Sequence, residues 1–182
     1  QQPNKCSRIK LVKFKRWLKR IVIIAVFVLI AFYFGLSLFA AHVLTQPLSR
    51  YIDNAPQLIS ENYEDISFQT PDNLKLTGWL LKPKNESDKI VIFVPGLRGN
   101  RTDEGYGTVG ISQELIAQGY NVLLYDTRAH GDSEGKRFTL GDKEANDVLG
   151  AVDFVKNKGF SPGKIGLIGN SSGGISILMA ID

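Results

Sequence analysis

The run Lys164-Ile165-Gly166-Leu167-Ile168-Gly169-Asn170-Ser171-Ser172-Gly173-Gly174 passes from a short apolar segment straight into a glycine-rich turn, and an apolar stretch, Ile175 to Ile181, follows it. Read as strand, turn and helix, it places G-x-S-x-G where a chain must reverse within very few residues. Gly169 and Gly173 carry no side chain, so the strand and the helix can approach closely. Ser171 then projects its hydroxyl near a helix N-terminus, where free N–H groups and the dipole favour developing negative charge. Other glycine-rich readings fail. A phosphate-cradling loop needs Lys before its Ser or Thr, and no Lys lies between Gly169 and Ser176. A dinucleotide fingerprint opens the first strand-helix unit, whereas this turn follows several strands. No cofactor is expected.

Upstream, strand and helix patterns alternate. Ile66–Thr70 and Leu74–Leu81 read as a hairpin around Pro71-Asp72-Asn73. Ile90–Val94 and Asn121–Tyr125 are short continuous apolar runs, the pattern of strands buried on both faces. Val109 to Gln118 and Asp142 to Lys158 are predicted helices ended by Gly119 and Gly159; in the second, Ala145, Val148, Leu149, Val152 and Val155 recur at spacings of three and four. This alternation predicts an α/β fold with a mostly parallel sheet and flanking helices.

Three segments together resemble the α/β-hydrolase superfamily, most of all its membrane-anchored, serine-hydrolase-like branch, which includes esterases and peptidases. Val91-Ile-Phe-Val-Pro95-Gly96-Leu97-Arg98-Gly99-Asn100 resembles the family's strand and oxyanion loop. Tyr125-Asp126-Thr127-Arg128-Ala129-His130-Gly131-Asp132-Ser133 is similar to its D-x-R-G-x-G-x-S loop, and Gly169 to Gly174 to its nucleophile elbow. Pro95 stands where His is common, and Ala129 replaces a usual glycine. The resemblance implies that Ser171 is the nucleophile, that the Leu97 and Ser172 N–H groups hold the oxyanion, and that the substrate is a small ester or peptide. It also implies that the strands before Leu97 and before Ser171 are neighbours.

Asp126, Arg128, His130, Asp132 and Glu134 crowd one loop. A metal site would need a defined set of hard ligands, and none is evident. Pairing of Arg128 with a carboxylate is the reading adopted, and no metal is expected. The family also needs an acid and then a histidine after the serine. No histidine follows Ser171; His42 and His130 both precede it. The chain therefore reads as the N-terminal part of a hydrolase, expected to lack turnover alone and to leave its last strand as an open, association-prone edge. The alternative is a non-catalytic, membrane-anchored interaction protein that uses a truncated hydrolase fold.

Charge is distributed unevenly over the 182 residues. Residues 1–52 hold nine Lys or Arg and no Asp or Glu, so residues 53–182 carry a net charge of −5. The basic balance belongs to the N-terminus, which argues against nucleic acid as a partner. Ile21 to Ala41 is 21 residues without a charge, about 31 Å as a helix, which matches a bilayer core. A cleaved signal has a shorter apolar core and a small-x-small site, and Leu38-Phe39 before Ala40-Ala41 does not suit cleavage. Eight basic residues precede the span, and residues 42 to 64 hold only Arg50 against Asp53, Glu61 and Glu64. By the positive-inside rule the N-terminus is cytoplasmic and the domain extracytoplasmic. The expected organisation is a basic cytoplasmic tail, 1–20; a single anchor in the cell membrane, 21–44, with bilayer lipid as its partner; a linker, 45–62; and the hydrolase domain, 63–182. The single cysteine, Cys6, excludes an internal disulfide.

Overall fold

The computed structural model describes residues 5–46 and 56–181. The chain divides into two units, Gln1–Leu44 and Thr45–Asp182. The first is built on one helix, α1, Lys5–Thr45. Its apolar side chains from Ile21 to Leu44 are exposed to the surroundings, and Lys13–Thr45 is long and apolar enough to cross a membrane. Residues 5–20, expected as a tail, continue this helix. Their Lys, Arg and Leu are good helix formers, and propagation from an existing helix adds a hydrogen bond per residue.

The second unit is a five-stranded sheet with helices on both faces. The strands are β1, Tyr63–Gln69; β2, Lys75–Leu81; β3, Ile90–Val94; β4, Asn121–Tyr125; and β5, Ile165–Gly169. Their spatial order is β1-β2-β4-β3-β5. β2 pairs antiparallel with both β1 and β4, while β3 is parallel to both β4 and β5, so β2 alone runs against the other four. The mostly parallel sheet expected from the alternation of elements is observed. So is the adjacency of the strands before Leu97 and Ser171, with Val94 opposite Gly169.

The helices are α2, Thr108–Ala117; α3, Glu144–Asn157; and α4, Ser172–Ile181. On one face Leu76, Ile92, Leu123 and Tyr125 pack under Val148, Ala151 and Val155 of α3, with Ile177 and Ala180 of α4 against them. On the other, Trp79, Val91, Phe93 and Leu124 meet Val109, Leu115 and Ile116 of α2. Burying a large apolar side chain is worth about 1.5–3 kcal/mol, so these two layers carry the fold. The span expected as a linker differs at its end: Pro56 and Ile59 are buried, Ile59 in the α2-side core, and residues 47–55 lie outside the described residues. The β1–β2 turn closes at Asn73, φ 63°, a left-handed position that Asn tolerates.

Candidate active site

The site is built at the carboxyl ends of β3, β4 and β5. Pairing of β3 with β5 extends one step past the strand end, where the Asn170 N–H donates to the Val94 carbonyl at 3.3 Å. The chain then reverses at Ser171, whose φ of 48° is left-handed, and α4 begins at the next residue. A non-glycine residue held there costs about 1–3 kcal/mol, and such strain clusters at functional positions. The Ser171 side chain is exposed. The two motif glycines make the reversal possible. A Cβ on Gly173 would lie 2.1 Å from the Val94 carbonyl oxygen, and one on Gly169 would lie 2.6 Å from the Gly174 nitrogen. Gly173→Ala must therefore push α4 off β3. We expect a loss of about 1–3 kcal/mol in thermal unfolding of the detergent-solubilised protein. An unchanged melting temperature would show that the close approach is not required.

The loop after β3 lies against this reversal. Gly96 packs on Asn170 and Ser171, since its Cβ would sit 2.5 Å from Asn170 Oδ1 and 3.2 Å from Ser171 Cβ. The Gly99 N–H donates to the Gly96 carbonyl at 3.0 Å, closing a turn whose third residue, Arg98, has φ 65°. Leu97 and Ser172 are brought together. The Leu97 N–H donates to Ser172 Oγ at 2.7 Å, so the amide expected to hold an oxyanion here holds the neighbouring hydroxyl. Ser172 lies in the first turn of α4, where no intrahelical carbonyl is available to its N–H.

The loop after β4 is tied down by two buried arginines. Arg128 donates from its backbone N–H to Asp147 Oδ2 at 2.8 Å and from Nε to Asp147 Oδ1 at 2.9 Å. It also reaches Asp72 of the β1–β2 turn through Nη1, 2.7 Å, and Nη2, 2.9 Å. Arg128 thus pairs with carboxylates, as expected. Sequence reasoning missed the second arginine. Arg101, in the loop after β3, donates from its N–H and Nε to Asp126 at 2.8 and 3.1 Å. Its Nη2 reaches Asp126 again and Asp132 at 2.9 Å, and its guanidinium lies over the Trp79 ring at 5.0 Å. These carboxylates answer guanidinium groups, and the described residues contain no cluster suited to a metal ion. Gly131 is required beside them, since a Cβ there would lie 2.0 Å from Asp126 Oδ2.

His130 is 1% exposed, with Nε2 accepting the Arg98 N–H at 3.1 Å and Nδ1 3.0 Å from the Arg128 carbonyl. Both ring nitrogens are therefore engaged by backbone. A cavity of about 130 Å³ adjoins the elbow, lined by Phe93, Pro95, Ile111, Leu124, Ile168 and Asn170 among others.

A family profile described as X-Pro dipeptidyl-peptidase (S15 family) matches residues 51–182. The chain belongs to this family. Its place in the α/β-hydrolase superfamily is borne out by an esterase of Pyrococcus furiosus, 37% identical with a TM-score of 0.67 over 75% of this chain and 52% of that one. A thiohydrolase of Aspergillus aculeatus is 28% identical over 66% of this chain and 37% of its own length. An uncharacterized membrane protein of Saccharomyces cerevisiae is 30% identical over 64% of this chain and 39% of its own. The S15-family chain thus spans less than half the length of these curated relatives.

Proposed function

We propose that the protein is a membrane-anchored serine hydrolase that cleaves small esters or peptides through an acyl-enzyme on Ser171. The observation that carries this reading is the strained, exposed Ser171 at the β5–α4 reversal, with the loop of Gly96 and Leu97 packed against it. In the proposed reaction Ser171 Oγ attacks the substrate carbonyl as a general base takes its proton. The tetrahedral oxyanion is received by the Ser172 N–H and by the Leu97 N–H, which exchanges Ser172 Oγ for it. Collapse expels the protonated leaving group, and water then hydrolyses the acyl-serine. One such donor contributes about 2.7–4 kcal/mol. The apolar cavity beside Asn170 suits an acyl or side-chain group of the substrate.

Neither histidine of the chain serves as the base in this scheme. His42 belongs to α1, and His130 has both nitrogens committed. We assign the acid and the base to sequence outside these 182 residues, in keeping with the greater length of the relatives. The test is labelling of the complete protein with a fluorophosphonate probe. Labelling of the parent and none of Ser171→Ala supports the reading; equal labelling of both overturns it.

The anchor forms part of the same proposal. The charge bias across Ile21 to Ala41 favours an N-terminus inside and the hydrolase domain outside. Protease added to intact cells is expected to digest the domain and spare the N-terminal segment, and a protected domain would contradict this topology.

A further inference from the structure

The turn that carries Leu97 is not held by the sheet. It leaves β3 at Val94 and folds back on itself between Gly96 and Gly99, with Arg98 at a left-handed φ of 65°. Such a residue persists only when its surroundings fix it. The Leu97 N–H on Ser172 Oγ and the Gly99 N–H on the Gly96 carbonyl hold its two sides, and Arg98 itself is held through its N–H, which donates to His130 Nε2 at 3.1 Å. That N–H belongs to the peptide joining Leu97 to Arg98, so its direction sets the tilt of the peptide plane immediately after the Leu97 N–H.

The imidazole is itself held in one state. Nδ1 lies 3.0 Å from the Arg128 carbonyl, which can only accept, so Nδ1 carries the proton and Nε2 presents its lone pair to Arg98. The Phe138 ring meets the imidazole edge-on at 5.2 Å and 88°. Arg128 is in turn fixed by Asp147 and Asp72, so a continuous chain of contacts runs from α3 and the β1–β2 turn to the turn of Leu97.

We propose that neutral His130 is a positioning residue for the oxyanion loop, aiming the Leu97 N–H at the reacting carbonyl by holding the Arg98 N–H. The inference rests on the assignment of Leu97 as an oxyanion donor. The charged groups acting on the ring are Asp126, just after β4, and Glu144 of α3; Arg128 and Arg98 meet it through their backbone carbonyl and N–H. Burial pushes the imidazole below its ordinary 6.5, against the pull of the Arg128 carbonyl and those two carboxylates. Asp126 is already engaged by Arg101, and Glu144 by the Thr139 and Gly141 N–H groups. A second proton on the ring would consume the Nε2 lone pair and release Arg98.

The test compares the complete protein with His130→Phe, which keeps the ring packing and removes the acceptor, and with His130→Gln, whose Oε1 can take the place of Nε2. Hydrogen exchange at the Arg98 amide and kcat and KM on p-nitrophenyl butyrate are measured alongside the melting temperature. The Phe variant is expected to speed Arg98 exchange and lower kcat by about tenfold or more, with KM within about threefold, and the Gln variant to recover most of both. In the parent, acidification from neutral pH to well below the imidazole's ordinary 6.5 should open the Arg98 amide, after correction for intrinsic exchange, and should not do so in His130→Gln. That comparison holds even if His130→Phe fails to fold. Parent-like kcat in a folded His130→Phe, or a pH response of the Arg98 amide that His130→Gln retains, would overturn the proposal. Absence of Ser171-dependent turnover in the parent would instead defeat the hydrolase reading, and the exchange data would then decide the structural bridge alone.

Discussion

Ser171→Ala is expected to lower ester hydrolysis by the complete protein by about 10⁴-fold or more while leaving the fold intact. The hydroxyl is the only group that can form the acyl bond in the proposed scheme, so its loss leaves what the oxyanion donors and substrate binding provide. Stability should move little, because Ser171 is exposed and alanine occupies the same left-handed φ of 48° with a similar penalty. Ser171→Gly separates the two contributions. It relieves the backbone and should stabilise the domain by about 1 kcal/mol while remaining inactive. Steady-state rates on a short-chain p-nitrophenyl ester, with melting temperatures for all three proteins, check both statements. A Gly variant less stable than the parent would mean that the left-handed turn is not strained.

Arg128→Leu is expected to cost about 3–5 kcal/mol, because it strands Asp147, which is fully buried, without its partner. The pH dependence follows from the two carboxylates that Arg128 joins. Burial already pushes Asp147 up from 3.8 to about 6, against the hydrogen bonds of Arg128. Its folded value thus lies above its unfolded one, and its contribution falls as pH rises from about 4 to about 6. The Arg128 hydrogen bonds hold Asp72 down at about 2, so its contribution is present above about pH 4 and is lost as pH falls toward 2. Asp72 is partly exposed, and solvent screens that contribution. Removing Arg128 pushes Asp147 higher still and abolishes the benefit at Asp72. The variant should therefore lose more stability near neutral pH than near pH 4. Denaturant unfolding at the two pH values tests this, and an equal deficit at both would place the destabilisation in lost packing instead.

The readable parts of the fold were those encoded locally. Ile90–Val94 and Asn121–Tyr125 are apolar throughout because both faces of their strands are covered, and the glycine spacing around Ser171 reflects a backbone approach that any Cβ would block. The start of α4 was less readable. Ser172-Gly173-Gly174 is a poor helical turn by propensity, yet the helix includes it, with Gly173 packed on Val94. Which residues partner across the loops was not readable. Asp126 and Arg128 could be singled out as charged, but nothing in their spacing shows that Arg101 answers the first or that Asp147 and Asp72 answer the second. Those pairings depend on how the sheet orders β2, β4 and β3. Asn100-Arg-Thr shows the same limit: it fits a glycosylation sequon, yet Asn100 is buried and its Oδ1 accepts from the Thr102 N–H.

The most direct measurement is trapping of the covalent intermediate. The complete protein is mixed with p-nitrophenyl acetate, quenched in acid during turnover, digested and mapped by mass spectrometry. The account requires an acetyl group on Ser171, absent from Ser171→Ala. Turnover with no acetylated Ser171, or with the acetyl on another residue, would contradict it.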